Sequence, residues 1–356
     1  MGKFEFVPGT TLKEKFADAN QLKFGKTFTD YMLTMEYETG KGWHKRQIRP
    51  YANFEMDPAS MVLHYGQAMF EGLKAYKSPE GKTLLFRAKD NFVRMNSSAR
   101  RLSMPEIDVD EAYEGLCELL KVEEGWIPKE PGTSLYVRPT MIATDPYLGV
   151  KASDTYLFYI ILSPVGPYYP EGFNPVKIYV ENEYVRAVKG GMGFTKAAAN
   201  YAASLKAGEE AKKLGYTQVL WLDGVHRRYI EEVGAMNIFF VIGDELVTPE
   251  LGGSILPGLT RDSILTLARD RGLKTAERKV DIHELVDAHA KGQLKEVFGT
   301  GTAAVVSPVG ELNWDGHIMS INGGKTGPLA QGLYDTLTGI QFGRLPDPHG
   351  WVTTVE

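Results

Sequence analysis

The apolar positions of the chain fall into two periods. Alternating or continuous apolar runs predict strands at FTDYMLTME (28–36), TLLFR (83–87), SLYVRPTMIAT (134–144) and the buried-looking TYLFYIIL (155–162). Between the first two, MVLHYGQAMFEGLKAY (61–76) mixes aromatics with glycines. Helical spacing predicts one helix over about 89–102, carrying Phe92, Arg94 and Met95, and a second over about 110–122. Pro139 lies inside a strand pattern and has no N–H, so its strand is expected at a sheet edge or with a bulge.

Periodicity then stops. SPVGPYYPEGFNP (163–175) holds four prolines and two glycines in thirteen residues, which reads as a linker between domains. The expected organisation is therefore a domain over 1–163, a linker over 164–175 and a domain over 176–356. In the second, VKIYV and TQVLWL read as strands and YIEEVGAMNIFFVI (229–242) as one strand turning at Gly243-Asp244 into ELVTP. A helix starts after Lys196. Another follows LPG and stops at Gly272, and Asp281 with Glu284 makes a capping box for a third ending near Gly292. EVFGTGTAAVVSPVG supplies two strands joined through glycines. A last helix after Thr326 turns Leu329, Leu333, Leu337 and Ile340 inward. The order of elements is that of an α/β (α+β) fold, without internal repeats.

Composition narrows the function classes. With 43% hydrophobic and 24% charged residues the 356-residue chain is a soluble globular protein long enough for two cores. The net charge of −5, with acids and bases interleaved, gives no reason to expect nucleic acid or a membrane surface. No apolar run approaches the ~20 residues of a membrane span, and the N-terminal MGKFEFVPGT lacks a signal or myristoylation pattern. A single cysteine, Cys117, excludes an internal disulfide and fits helix packing. These features together point to the cytoplasm.

Candidate chemistry centres on KGGMGFTKAAANYAASL, where glycines precede Lys196 and alanines follow it. Small neighbours let other groups approach the amine, and crowded apolar surroundings lower a lysine pKa. A P-loop is excluded because Thr195 precedes the lysine and Ala197 follows it, and a GxGxxG fingerprint fails because its third glycine would be Lys196. On this stretch alone a surface lysine opening an alanine-rich helix accounts for it better. At roughly 100° per residue Lys196 and Tyr201 lie about 140° apart, so both face one site only if the lysine precedes the regular turns.

Three further stretches change that picture. LPGLTRD (256–262) places a glycine and a threonine at a helix N-terminus, an anion site by its N–H groups and dipole. GTGTA (299–303) is a second turn rich in N–H donors and a hydroxyl. In EEVGAMN (231–237) only one of Glu231 and Glu232 can face inward, and a buried carboxylate needs a cationic partner. Singly, each is ordinary turn or strand chemistry. Together a Schiff-base lysine, a buried acid, a phenol and two phosphate-sized cups describe a site for pyridoxal phosphate.

The motifs GGMGFTKAAANYAASL, QVLWLDG, EEVGAMNIFF, ILPGLTRDS and EVFGTGTAAVV, with HYGQAMFEGLKAY, LLFRAKDNFVRMN and GTSLYVRP before them, resemble the branched-chain amino acid aminotransferases of fold type IV, bacterial members above all. The resemblance spans the chain from Phe24 to the last helix. It implies a small N-terminal α/β domain, a larger C-terminal pseudo-barrel domain, a homodimer, pyridoxal 5′-phosphate and no metal. Carried over by position, Lys196 resembles the lysine that holds the cofactor aldehyde, Glu232 the acid on the pyridinium nitrogen and Tyr201 the tyrosine on the ring hydroxyl. Arg94, Leu259, Thr260 and Thr302 match the phosphate cradle, the leucine through its backbone N–H. Phe24, Tyr65, Phe70 and Tyr136 match the lining of the aliphatic pocket. Arg138 matches the arginine for the distal carboxylate of glutamate, and the Thr302 and Ala303 amides would take the α-carboxylate.

The implied reaction moves an amino group between L-leucine, L-isoleucine or L-valine and 2-oxoglutarate. Three positions depart from relatives. AANY stands for GGNY at 198–201, Ala235 for a threonine of animal members, and Ala304 with Ser307 for the redox Cys-x-x-Cys of mammalian ones. A D-amino acid aminotransferase or aminodeoxychorismate lyase shares the lysine and glutamate but tends to be shorter and lacks the GTSLYVRP and FEGLKAY context. A non-catalytic cofactor-binding or ATP-binding protein is the alternative outside the fold, and the failed P-loop argues against the nucleotide.

Overall fold

Alternating buried positions build a nine-stranded sheet in the first of two units of the computed structural model, which describes residues 3–168 and 173–356. The first unit comprises Met1–Pro170, Thr195–Ala199 and Gly339–Glu356, and the second Glu171–Phe194 and Asn200–Thr338. Lys196 therefore groups with the first unit. Of the expected linker, residues 169–172 lie outside those described.

The first sheet runs Glu5–Phe6, Gly42–Pro50, Tyr31–Glu38, Thr155–Val165, Ser134–Ala143, Leu73–Lys77, Thr83–Phe86 and Val352–Thr354, with Ala68–Phe70 also on Ser134–Ala143. In Thr155–Val165 the residues Tyr156, Phe158, Ile160 and Leu162 are buried while those between them are half-buried. The strand is thus one-sided, where an apolar run had suggested burial on both faces. A short helix, α1 (Met61–Tyr65), and two longer ones, α2 (Ala88–Arg101) and α3 (Val109–Val122), accompany the sheet. Phe92 and Met95 of α2 and Leu116 and Leu119 of α3 join Leu33, Val137 and Phe158 of the sheet in one core. Asp108 caps α3 by accepting from the Glu111 N–H at 2.8 Å.

Pro139 is central in the sheet, with strands on both sides. Its carbonyl accepts from the Glu71 N–H at 2.8 Å. The proline nitrogen, on the same side of the strand, has no proton to return, and the facing strand is interrupted there between Phe70 and Leu73. An interruption in the neighbour takes the place of the expected edge.

The second sheet runs Ile230–Val233, Gln218–Leu222, Val176–Val180, Val305–Trp314, Leu294–Gly301, Asn237–Ile242, Glu245–Thr248 and Lys274–Glu277, with His317–Ser320 beside Val305–Trp314. Its two ends meet. The Ile230 N–H donates to the Val280 carbonyl at 2.8 Å and Tyr229 bridges Asp281, which curls the sheet toward a barrel. The stretch expected as one strand over 229–242 is two. Gly234 has φ of +56°, and Val233 and Met236 exchange N–H to carbonyl bonds of 2.9 Å across the turn.

Helices α4 (Ala198–Lys213), α5 (Leu259–Asp270), α6 (Ile282–Ala290) and α7 (Pro328–Gln341) follow in order. The Asp281 carboxylate caps α6 through the His283 N–H at 3.0 Å, but Glu284 turns to Arg278, so half of the expected capping box forms. In α7, Leu333, Leu337 and Ile340 are buried and Leu329 is half-buried.

One buried carboxyl makes the first unit sensitive to pH. Glu123 is 1% exposed and accepts from the Tyr31 N–H. Burial pushes it from 4.5 up to about 7. Folded, it keeps a proton that the unfolded chain loses from about pH 4.5 upward, so its contribution is full below that pH and is lost as pH rises through 7. Between about pH 5 and pH 8 the native chain should lose about 1–3 kcal/mol relative to Glu123→Gln, measured by chemical denaturation at each pH. Parallel pH profiles would contradict this.

Candidate active site

The peptide groups of Lys196 are held on both sides. Its N–H donates to Ser98 Oγ of α2 at 3.1 Å, its carbonyl accepts from the Phe70 N–H at 3.2 Å, and Ala197 bridges Met69. Helix α4 begins at Ala198, so the lysine precedes the regular turns as the sequence requires. Its side chain is half-buried, with Nζ 5.3 Å from the centre of the Phe70 ring.

The same ring carries a second cation. The Arg138 guanidinium lies 4.5 Å from the Phe70 centre and 5.2 Å from that of Tyr136, and one Nη donates to Tyr136 Oη at 3.0 Å. Its Nε is buried without a hydrogen-bond partner among the described residues. A guanidinium with an unspent N–H beside aromatic faces suits an incoming carboxylate. Phe24 packs edge-on against Tyr136 at 4.8 Å. Phe24, Phe70, Tyr136 and Arg138 thus form one chain of contacts. Tyr65 stands apart, exposed on α1 with its hydroxyl donating to the Leu148 carbonyl.

Arg94 makes a buried two-point pair with Glu71, Nε to Oε1 and Nη2 to Oε2, both at 2.8 Å. The side chains are 8% and 0% exposed. Beside them Gly72 is required, because a Cβ there would meet Tyr136 Oη at 2.1 Å. Lys74, opposite Tyr136 in register, is lowered by burial to about 8.

In the second unit Glu232 is 2% exposed and pairs with Arg186 Nη1 at 2.7 Å. Its other oxygen accepts from the Leu256 N–H at 3.2 Å and the Asn237 amide at 3.4 Å. Arg186 is the cationic partner that a buried carboxylate needs. Glu231, on the opposite face of the strand, is half-buried and accepts from the Ser254 hydroxyl, and burial raises its carboxyl.

Helix α5 starts at Leu259 after Gly258, which offers no side-chain cap, and Thr260 is buried in its first turn. That end carries the positive end of the helix dipole, which favours an anion. Thr302 and Ala303 are half-buried in the turn before Val305–Trp314. Val305, two residues after Ala303, has φ of +62°, a strained conformation for a β-branched residue. Tyr201 lies half-buried in the first turn of α4.

Sequence reasoning named neither Glu71, Arg186, Asn237 nor Ser98. A partner for a buried glutamate was required, but nothing local marks Arg186, 46 positions before Glu232, as that partner. Arg94 was assigned to the phosphate by resemblance, but nothing in FEGLKAY marks Glu71 as its buried partner.

Taken by itself, the first unit holds the Lys196 amine and the Arg94–Glu71 pair, and the second the buried Glu232 carboxylate, the Tyr201 phenol and the start of α5, each a group of the kind a phosphorylated pyridine aldehyde uses. The family model described as amino-transferase class IV matches residues 68–312. The chain is 56% identical over 346 residues to branched-chain-amino-acid aminotransferase 2 of Bacillus subtilis, covering 97% of this chain and 95% of that one. Among solved structures it is similar to the Escherichia coli branched-chain amino acid aminotransferase, with a TM-score of 0.76 at 27% identity over 92% of this chain and 99% of that one. It is equally similar to the branched-chain amino acid aminotransferase of Thermobaculum terrenum in its PLP form, with a TM-score of 0.76 at 25% identity over 92% and 98% of the two chains.

The Arg186–Glu232 pair yields a stability test. Arg186→Met leaves a buried carboxylate without its cation and should cost about 3–5 kcal/mol at neutral pH, whereas the double variant with Glu232→Gln should recover most of the loss. Chemical denaturation of the two variants checks this, and additive losses would contradict the pairing.

Proposed function

The chain belongs to the amino-transferase class IV family, and from that premise we propose that Lys196, Glu232 and Arg138 carry an exchange of amino groups that uses pyridoxal 5′-phosphate. It is a branched-chain amino acid aminotransferase, acting reversibly between L-leucine, L-isoleucine or L-valine and 2-oxoglutarate. The observation that carries this reading is the near-full-length identity to the Bacillus subtilis relative. Nothing in the comparisons favours a D-amino acid aminotransferase or an aminodeoxychorismate lyase.

When bound, pyridoxal phosphate supplies an aldehyde that joins amines and a ring that takes up the electrons released at the substrate Cα. Lys196 Nζ would hold that aldehyde and, once displaced by the substrate amine, accept the Cα proton and deliver it again as general base and acid. Glu232, paired with Arg186, would hold a proton on the ring nitrogen. Tyr201 would hydrogen-bond the ring hydroxyl. Arg94, the Leu259 N–H, Thr260 and Thr302 would anchor the phosphate, with Arg94 already fixed on Glu71.

Substrate binding must accept an isobutyl group and a carboxylate in turn. Phe24, Phe70 and Tyr136 would offer the apolar walls, and Tyr65 stands apart from them in this chain. Arg138, spread over two aromatic faces with an unpaired Nε, would pair with the distal carboxylate of glutamate and rest on the rings when leucine is present. The Thr302 and Ala303 amides would take the α-carboxylate. We infer a homodimer in the cytoplasm. No helix of the described residues is long and apolar enough to cross a membrane.

Lys196→Ala should abolish transamination between L-leucine and 2-oxoglutarate, and retained turnover would overturn the assignment. Arg138→Ala should lower kcat/KM for glutamate by about 100-fold and for leucine by less than about 10-fold, since only glutamate loses a charge pair. Equal losses would remove Arg138 from the carboxylate role. Rates with L-leucine against D-alanine separate the branched-chain activity from the D-amino acid alternative.

A further inference from the structure

We propose that Ser98 is a positioning residue for Lys196, whose peptide it fixes so that only the lysine side chain moves during the reaction. The proposal rests on Lys196 being the reacting amine. Ser98 is 1% exposed on α2 and reaches Lys196, 98 positions later, through Oγ at 3.1 Å from the peptide nitrogen.

The hydroxyl is oriented for that task. Its proton points to the Arg94 carbonyl one helical turn back, at 3.4 Å. The donor is thereby engaged, and the oxygen lone pairs face the Lys196 N–H. On the other side of the residue the Phe70 N–H holds the Lys196 carbonyl at 3.2 Å. Both flanking peptides are therefore tied, one to a helix and one to a strand end.

A reacting lysine needs this more than an ordinary one. Its amine must reach one atom while it holds the cofactor and another while it carries a proton, and both positions lie on an arc swept from the Cα. A Cα that drifts by an ångström misplaces both ends of the arc. Because α4 begins only at Ala198, no helical bond holds the Lys196 N–H in place of Ser98. Arg94 and Ser98, four positions apart on one helix, share a face. Helix α2 thus carries the arginine assigned to the phosphate and the hydroxyl that fixes the lysine.

The test uses the holoenzyme of the full chain with Ser98→Ala, Ser98→Thr and Lys196→Ala. For Ser98→Ala we expect amide hydrogen exchange at Lys196, followed by mass spectrometry of the peptide containing it, to accelerate by about tenfold or more. We also expect kcat to fall by about tenfold or more with KM for leucine changed less than about twofold, and the melting temperature to stay within a few degrees. Ser98→Thr, which keeps the hydroxyl, should restore most of kcat if it folds. Unchanged exchange at Lys196, or a loss in KM with kcat preserved, would overturn the proposal even if Ser98→Thr fails to fold. Transamination retained by Lys196→Ala would instead overturn the reading beneath it, a result visible without any Ser98 variant.

Discussion

The arrangement in the first unit depends on a missing hydrogen. Pro139 stands in the middle of a central strand and cannot donate to its neighbour, so the neighbouring strand ends at Phe70 and resumes at Leu73. The two residues in the gap do what strand residues could not. Glu71 turns its carboxylate onto Arg94, and Gly72 leaves room for the Tyr136 hydroxyl. Phe70, at the end of the interrupted strand, gives its N–H to Lys196 and its ring to two cations.

Two buried ion pairs serve geometry more than stability. Arg94–Glu71 and Arg186–Glu232 each remove two charges from water, a cost that the attraction between them roughly offsets. What each pair secures is direction. Glu71 grips two of the nitrogens of Arg94 in a planar fork, which leaves the guanidinium no rotation about its own axis. Arg186 holds one oxygen of Glu232 and the Leu256 N–H and Asn237 amide hold the other, so the carboxylate has one fixed orientation.

Much of the fold was legible in the chain because helix and strand periods are local. Both long helices of the first unit lie within a residue or two of their expected spans, and Lys196 precedes α4 as the angular argument demanded. The error at 229–242 came from reading an apolar run as continuous when Gly234 bends it by a positive φ. The roles assigned to Lys196, Glu232 and the phosphate residues came from long ordered motifs matching a family, since their individual chemistry is commonplace. Ser98, Glu71 and Arg186 stayed invisible for a different reason. Each acts on a residue far along the chain, and a pairing between distant positions leaves no trace in the periodicity of either.

The last strand, Val352–Thr354, lies at the edge of the first sheet against Thr83–Phe86. Its position sets an order of events during synthesis. A ribosome delivers the first 168 residues, and the Thr195–Ala199 segment soon after, long before it delivers that strand, so the nascent unit waits with an open sheet edge. The unit made first is therefore among the last to be finished.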